Sequence, residues 1–300
     1  MLSPITAKNL IRLSISKVER RLSGGASGET RSSQSERQDD DELNSSTRSS
    51  HDEKLVMKEL QEFCLNSDIQ FSQETIYRFA SFLKFDLDRT KEAILENRAN
   101  NHLNLELKGR LRRQVAAKMI FPLSGLHTRK ADMEVCFIEA RRIDPDAFQG
   151  SATRVIENLG YVLNDLSRTK EQCARGVAVI INIKDVDRSK FTLNFWMQLM
   201  MVLQGQLVPT TVNLVLVVGS PKGFQNNFWK TQAKSMLPVS FAKKFRLIDR
   251  NHLVNAGYFV EGCETFLPTS VGGWKLEGEI VEDYLDLTEF ERRQKAATTN

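Results

Sequence analysis

No pair of cysteines in this chain stands at metal-binding or redox spacing. Cys64, Cys136, Cys173 and Cys263 are far apart and form no CxxC. A disulfide framework and a zinc site are therefore excluded as organising features, and reduced, mostly buried thiols in an intracellular protein are expected. Histidine is scarce as well: His51, His102, His127 and His252 lie in different segments without metal-ligand spacing, and read as surface or cap residues. The phosphate-cradling glycine patterns GxGxxG and GxxxxGK[ST] are absent, and Lys222 in Gly219-Ser-Pro-Lys-Gly223 is misplaced for the latter. There is no GxSxG elbow and no Cys-x5-Arg loop. Asp185 and Asp187 follow a strand-like run, where catalytic groups can sit, but aspartate is equally a turn residue. Charge of one sign is also lacking: 42 basic against 38 acidic residues leave a net +4, which gives no argument for a nucleic-acid partner. The expectation is a protein that is not an enzyme, with no cofactor and no metal.

One uncharged stretch, Phe191 to Pro221, is long enough to raise the question of a membrane span. Gln198, Gln204, Gly205, Gln206, Pro209, Thr210, Thr211 and Asn213 interrupt it. It parses as a buried helix, a turn and a buried strand.

What the sequence has is apolar surface. At 41% hydrophobic residues it can bury a sizeable core. The first 52 residues are set apart: 23–50 are rich in Ser, Gly and charge, with Leu43 the only large apolar residue, and are expected to be disordered. Before them, Ile11, Ile15, Val18 and Leu22 fall on one helical face amid Lys8, Arg12, Lys17, Arg20 and Arg21. Three readings of residues 1–22 stand side by side: a membrane-surface helix, an organelle-targeting segment, and a weakly helical tail.

Residues 53–120 read as four helices. Ser72 is the expected cap of one, and Asp86 or Asp88 starts the next. After Pro122 the pattern alternates. MEVCFIEA (133–140), GVAVIINI (176–183), TTVNLVLVVG (210–219) and FRLI (245–248) read as strands. Helices are expected over about 151–171, 191–204, 224–237 and 252–259. Strands buried on both faces and alternating with helices imply a mixed or parallel α/β sheet. The helix at 191–204 is apolar all round, with Phe195 and Met200 among its residues, so it is either packed on every side or faces an apolar guest. The helix at 224–237 sets Phe224, Phe228 and Trp229 against a polar face, as a lid would.

Six stretches together resemble the CRAL-TRIO lipid-binding family, the fold of phosphatidylinositol and tocopherol transfer proteins, over roughly residues 55–275. IYRFASFLKFDLDRTKEAI (76–94) is similar to the family's N-terminal signature. RGVAVIINIKDVD (175–187) and TTVNLVLVVGSP (210–221) look like its two central strands. NNFWKTQAKSML (226–237) resembles the helix that closes over the family's pocket, and KKFRLID (243–249) the strand after it. FLPTSVGGW (266–274) is similar to the family's LPxEYGG. The match is divergent: Gly219, Ser235, Ser270 and Val271 replace an Asn, a Pro, a Glu and an aromatic of the family pattern. Where phosphoinositide-reading members carry charges, this chain has Thr210, Thr211 and Asn213, which argues against inositol recognition by the usual route.

The resemblance implies an α/β, CRAL-TRIO-like mixed sheet flanked by helices, with a small all-helical N-terminal domain. The expected organisation is a tail at 1–52, a helical domain at 53–125, a lipid-binding domain at 126–279 and a C-terminal helix or tail at 280–300. It implies binding and transfer of a phospholipid or other small lipid in a lidded apolar pocket, with transient peripheral membrane contact from the cytoplasm. Candidate pocket residues are Val177, Val179, Ile181, Phe195, Met200, Val215, Val217, Phe224, Phe228 and Trp229; Lys243 and Lys244 are the candidates for headgroup or membrane contact. Strand alternation suggests that about half of the strand candidates point away from the pocket. The competing reading is a module of the same fold that binds a protein partner and carries no transferable lipid.

Overall fold

The computed structural model describes residues 50–100, 118–143, 153–186, 199–200, 202–205, 209–219, 239–248 and 253–287. The described residues all belong to one unit, Ser50–Asn300.

Three helices come first: α1 Ser50–Asn66, α2 Gln73–Phe82 and α3 Leu87–Asn100. Ser72 caps α2, its hydroxyl accepting from the Thr75 N–H. Asp86 caps α3 through its carboxylate on the Arg89 N–H, deciding between the two aspartates. Leu60, Ile76, Phe79, Ala80 and Ile94 form a small core of their own. The stretch 101–117, most of the expected fourth helix, lies outside the described residues.

The sheet has five strands in the order β1-β2-β3-β4-β5: β1 Ile120–His127, β2 Glu134–Glu139, β3 Val177–Asn182, β4 Val212–Val218 and β5 Phe245–Ile248. β1 is antiparallel to β2 and the remaining pairs are parallel, a mixed sheet as expected. β1 is the strand that sequence reasoning missed. Pro122 lies inside it, and proline marks a break wherever a strand must donate on both sides; here β1 is an edge, so the missing N–H is tolerated.

The helix expected at 151–171 is two helices, α4 Thr153–Asp165 and α5 Lys170–Arg175. The Ser167 hydroxyl bonds back to the Leu163 carbonyl, and Thr169 with Gln172 forms a reciprocal capping box that restarts the chain. The helix expected at 252–259 is only a 3-10 turn, Val254–Ala256, ended by Gly257 in the left-handed region. Val239–Ala242 makes a short α6. Residues 277–287 are helical (α7), and Tyr284, nearly fully buried, donates to Asp165 of α4 at 2.8 Å. The stretches 191–198 and 224–237 lie outside the described residues; Leu199, Met200, Val202 and Leu203 are helical. All four cysteines are free, and Cys64, Cys136 and Cys263 are buried. No described helix is long and apolar enough to cross a membrane.

Candidate functional site

The strand register assembles the first candidate surface. Cys136, Val179, Val215 and Phe245 lie in one row across β2–β5, and Ile138, Ile181, Val217 and Leu247 in the next row but one. Residues paired across a ladder share a face, as do alternate residues along a strand. These eight therefore line one face, and none is charged. Val177, Val179, Ile181, Val215 and Val217 all occupy odd positions of in-register strands, so they share that face, with Val177 starting its row beside Glu134 of β2 and Val212 of β4. The five candidates therefore point the same way. All five are buried, and Met200 packs half-buried on the same core. Phe195, Phe224, Phe228 and Trp229 lie outside the described residues.

At the amino ends of β4 and β5 the two lysine candidates separate. Lys243 is exposed. Lys244 turns in: its Nζ donates to the Val212 carbonyl at 2.8 Å and to Asn213 Oδ1 at 3.3 Å, and burial lowers its pKa. Asn213 in turn donates to the Arg175 carbonyl at 3.0 Å. Gly176 makes this tie feasible, since a Cβ there would stand 2.6 Å from Asn213 Nδ2 and 2.7 Å from the Thr211 carbonyl oxygen. Lys244 thus ties the start of β5 to the start of β4, and Asn213 ties β4 to the end of α5.

FLPTSVGG sits beyond the sheet. Leu267, before a 3-10 turn at Thr269–Val271, and Val271, its last residue, are fully buried anchors. Each glycine answers a separate demand. Gly272 has φ 97°, the left-handed region. A Cβ on Gly273 would lie 1.9 Å from the Leu267 carbonyl oxygen.

This turn forms one wall of a cleft of about 710 Å3 at the carboxyl ends of β2 and β3. Behind its lining residues Asn182 and Arg141, the fully buried Glu139 accepts from Asn182 Nδ2 at 2.9 Å, with Arg141 Nε 3.2 Å from its other oxygen. Arg141 also donates to Glu277 at 3.2 Å, and Arg142 to the second Glu277 oxygen at 2.6 Å. Burial pushes Glu139 up to about 7, against the pull of Arg141 and Asn182, and the neighbouring Glu277 carboxylate adds to the rise. Burial would raise Glu277 too, but the Arg142 hydrogen bond and both guanidinium charges outweigh it and hold the group below the ordinary range. Sequence reasoning singled out none of these residues. The available signal was an acid and two arginines directly after the apolar run VCFI. No group of three or more His, Cys, Asp or Glu among the described residues is placed to hold a metal ion.

Residues 125–273 match the family model described as CRAL/TRIO domain. Among solved structures the chain is similar to one titled "Crystal structure of Sfh5", at 12% identity and a TM-score of 0.51, over 82% of this chain and 100% of that one. At that identity the likeness concerns the fold alone. No curated protein matches the chain. The family model runs from the last residues of β1 to the FLPTSVGG turn, and the similar structure covers most of the chain. Residues 125–273 thus carry a CRAL/TRIO domain, the domain of a family of lipid-binding and transfer proteins.

Proposed function

We propose that this chain binds one hydrophobic ligand, a phospholipid or another small lipid, and transfers it between membranes that it touches transiently from the cytoplasm. The observation that carries the reading is the uncharged face running across β2–β5 through Cys136, Ile138, Val179, Ile181, Val215 and Val217. Such a face needs an apolar cover. The sequence supplies one in segments 191–204 and 224–237, with Phe195, Phe224, Phe228 and Trp229 as the residues assigned to the ligand. Binding then requires no covalent step: opening of the cover exposes the ligand, and apolar burial retains it. Lys243 is the residue assigned to headgroup contact, whereas Lys244 acts on β4. Native mass spectrometry of the purified chain, followed by extraction and identification of the adduct, tests the reading. A single stoichiometric lipid that disappears on Phe228→Asp is expected. Adduct-free protein that takes up nothing from mixed liposomes would overturn it in favour of a protein-binding module.

A further inference from the structure

The polar cleft at the carboxyl ends of β2 and β3 is unsuited to an acyl chain. Leu276 is the one large apolar side chain in its lining, which also holds Lys118, Arg141, Arg142 and Lys184. Its volume is that of a small-molecule site, and it lies beyond the carboxyl ends of the adjacent parallel strands β2 and β3.

Its charges are unevenly spent. Glu277 engages one Nη of each arginine. Arg141 also faces Glu139, but Arg142 meets no other acceptor among the described residues, and a guanidinium has five N–H donors. Lys118 has no carboxylate within ion-pair distance among the described residues. Its Nζ lies over Gly278 at the start of α7, 2.9 Å from where a Cβ would be, and a cation is disfavoured at a helix N-terminus. Lys184 has only Asp185, exposed and 3.6 Å away.

The turns that present the two lysines are themselves strained. Lys118 has φ 59° and Asp185, directly after Lys184, has φ 57°. Non-glycine residues are disfavoured in this region and persist where their surroundings enforce them. Gly219, at φ 80°, closes on Lys184, where a Cβ would come within 2.8 Å of the lysine Cβ. Two ammonium groups and the open edge of a guanidinium are thus held around one polar concavity whose lining also carries Glu277, Glu279 and Glu282, with Glu277 taken up by the arginines and the exposed Asp185 beside Lys184.

We propose that this cleft binds a phosphate monoester of a small polyol, with Lys118, Lys184 and the free edge of Arg142 on the phosphate oxygens and the exposed Glu282 accepting from a hydroxyl. A monoester phosphate presents three acceptor oxygens to such a cation set. The same chemistry is offered by a free phosphorylated polyol and by the headgroup of phosphatidate in a bilayer. This site is separate from the apolar face and does not rest on the carrier reading: a chain without a lipid adduct can still bind here, and a loaded chain can fail to.

The test uses the full chain with two probes: glycerol 3-phosphate by titration calorimetry, and phosphatidylcholine vesicles with and without phosphatidate by co-sedimentation. Saturable binding of at least one probe is expected, weakening as salt rises. The variant Lys118→Gln/Lys184→Gln should lose about tenfold in affinity, equivalent to 1.4 kcal/mol, with an unchanged melting temperature. Binding of glycerol 3-phosphate alone assigns the site to a soluble ester, and phosphatidate-dependent sedimentation assigns it to a lipid headgroup. The proposal is overturned if the folded wild-type chain binds neither probe, or if Lys118→Gln/Lys184→Gln binds both as well as wild type does.

Discussion

Replacing Glu139 with glutamine should change how the stability of this protein depends on pH, and the size of the change follows from its burial behind the cleft. The Glu139 carboxyl is fully buried and its pKa is raised from 4.5 to about 7. The folded state therefore holds the proton more tightly than the unfolded chain. Its contribution is fully present below pH 4.5 and is lost as pH rises through about 7. Integrating between these two values, about 2 kcal/mol disappears between roughly pH 5.5 and pH 8. At about 2–4 °C per kcal/mol for a domain of this size, that is roughly 4–8 °C of melting temperature. Glutamine resembles the protonated acid: its oxygen can still accept from Asn182, and its NH2 can face the Glu277 carboxylate. Glu139→Gln should thus match wild type at the acidic end and exceed it at the alkaline end. Thermal unfolding followed by circular dichroism across that range, taken as the difference between the two proteins, removes titrations common to both. Parallel curves, or a wild type that is the more stable protein at pH 8, would refute the reasoning.

Gly273→Ala should destabilise by about 3 kcal/mol or more, because the new methyl meets the Leu267 carbonyl oxygen at 1.9 Å, whereas Gly262→Ala, with nothing within 4 Å, should cost only about 1 kcal/mol for its left-handed φ of 80°; urea denaturation of both variants checks the contrast. Lys244→Met should cost about 1–2 kcal/mol by leaving the Val212 carbonyl without its donor, and Lys243→Met less than about 0.5 kcal/mol, in the same measurement. Tyr284→Phe should cost about 1 kcal/mol by removing the hydrogen bond to Asp165; an unchanged denaturation midpoint would count against α7 being fastened to α4.

The central strands and the local caps were legible in the sequence because their signals are local. β3 and β4 read as strands since continuous β-branched runs fit only a sheet covered on both faces. Ser72 read as a cap because its partner, Thr75, is three residues away. In FLPTSVGG the glycine pair stated that a backbone demand existed, and the six ordered motifs suggested the family. Where β1 would run was not legible, because a proline inside a strand is tolerated only at an edge, and being an edge is a property of the whole sheet.

Residue order alone thus determined the α/β character, the main strands and their apolar content, since burial preference and backbone propensity act over a few neighbours. Only the tertiary structure decided which of those residues act together. Parallel register gathered Val177, Val179, Ile181, Val215 and Val217 onto one face, a relation between strands separated by long crossovers. Folding also split an adjacent lysine pair, turning Lys244 into a tie for β4 while Lys243 stayed in solvent. Burial raises the Glu139 carboxyl, and Arg141 and Glu277, 136 residues apart in the chain, act on it in opposite directions. Burial and long-range charge pairing are products of packing, so a cleft built from them has no spacing that a sequence can display.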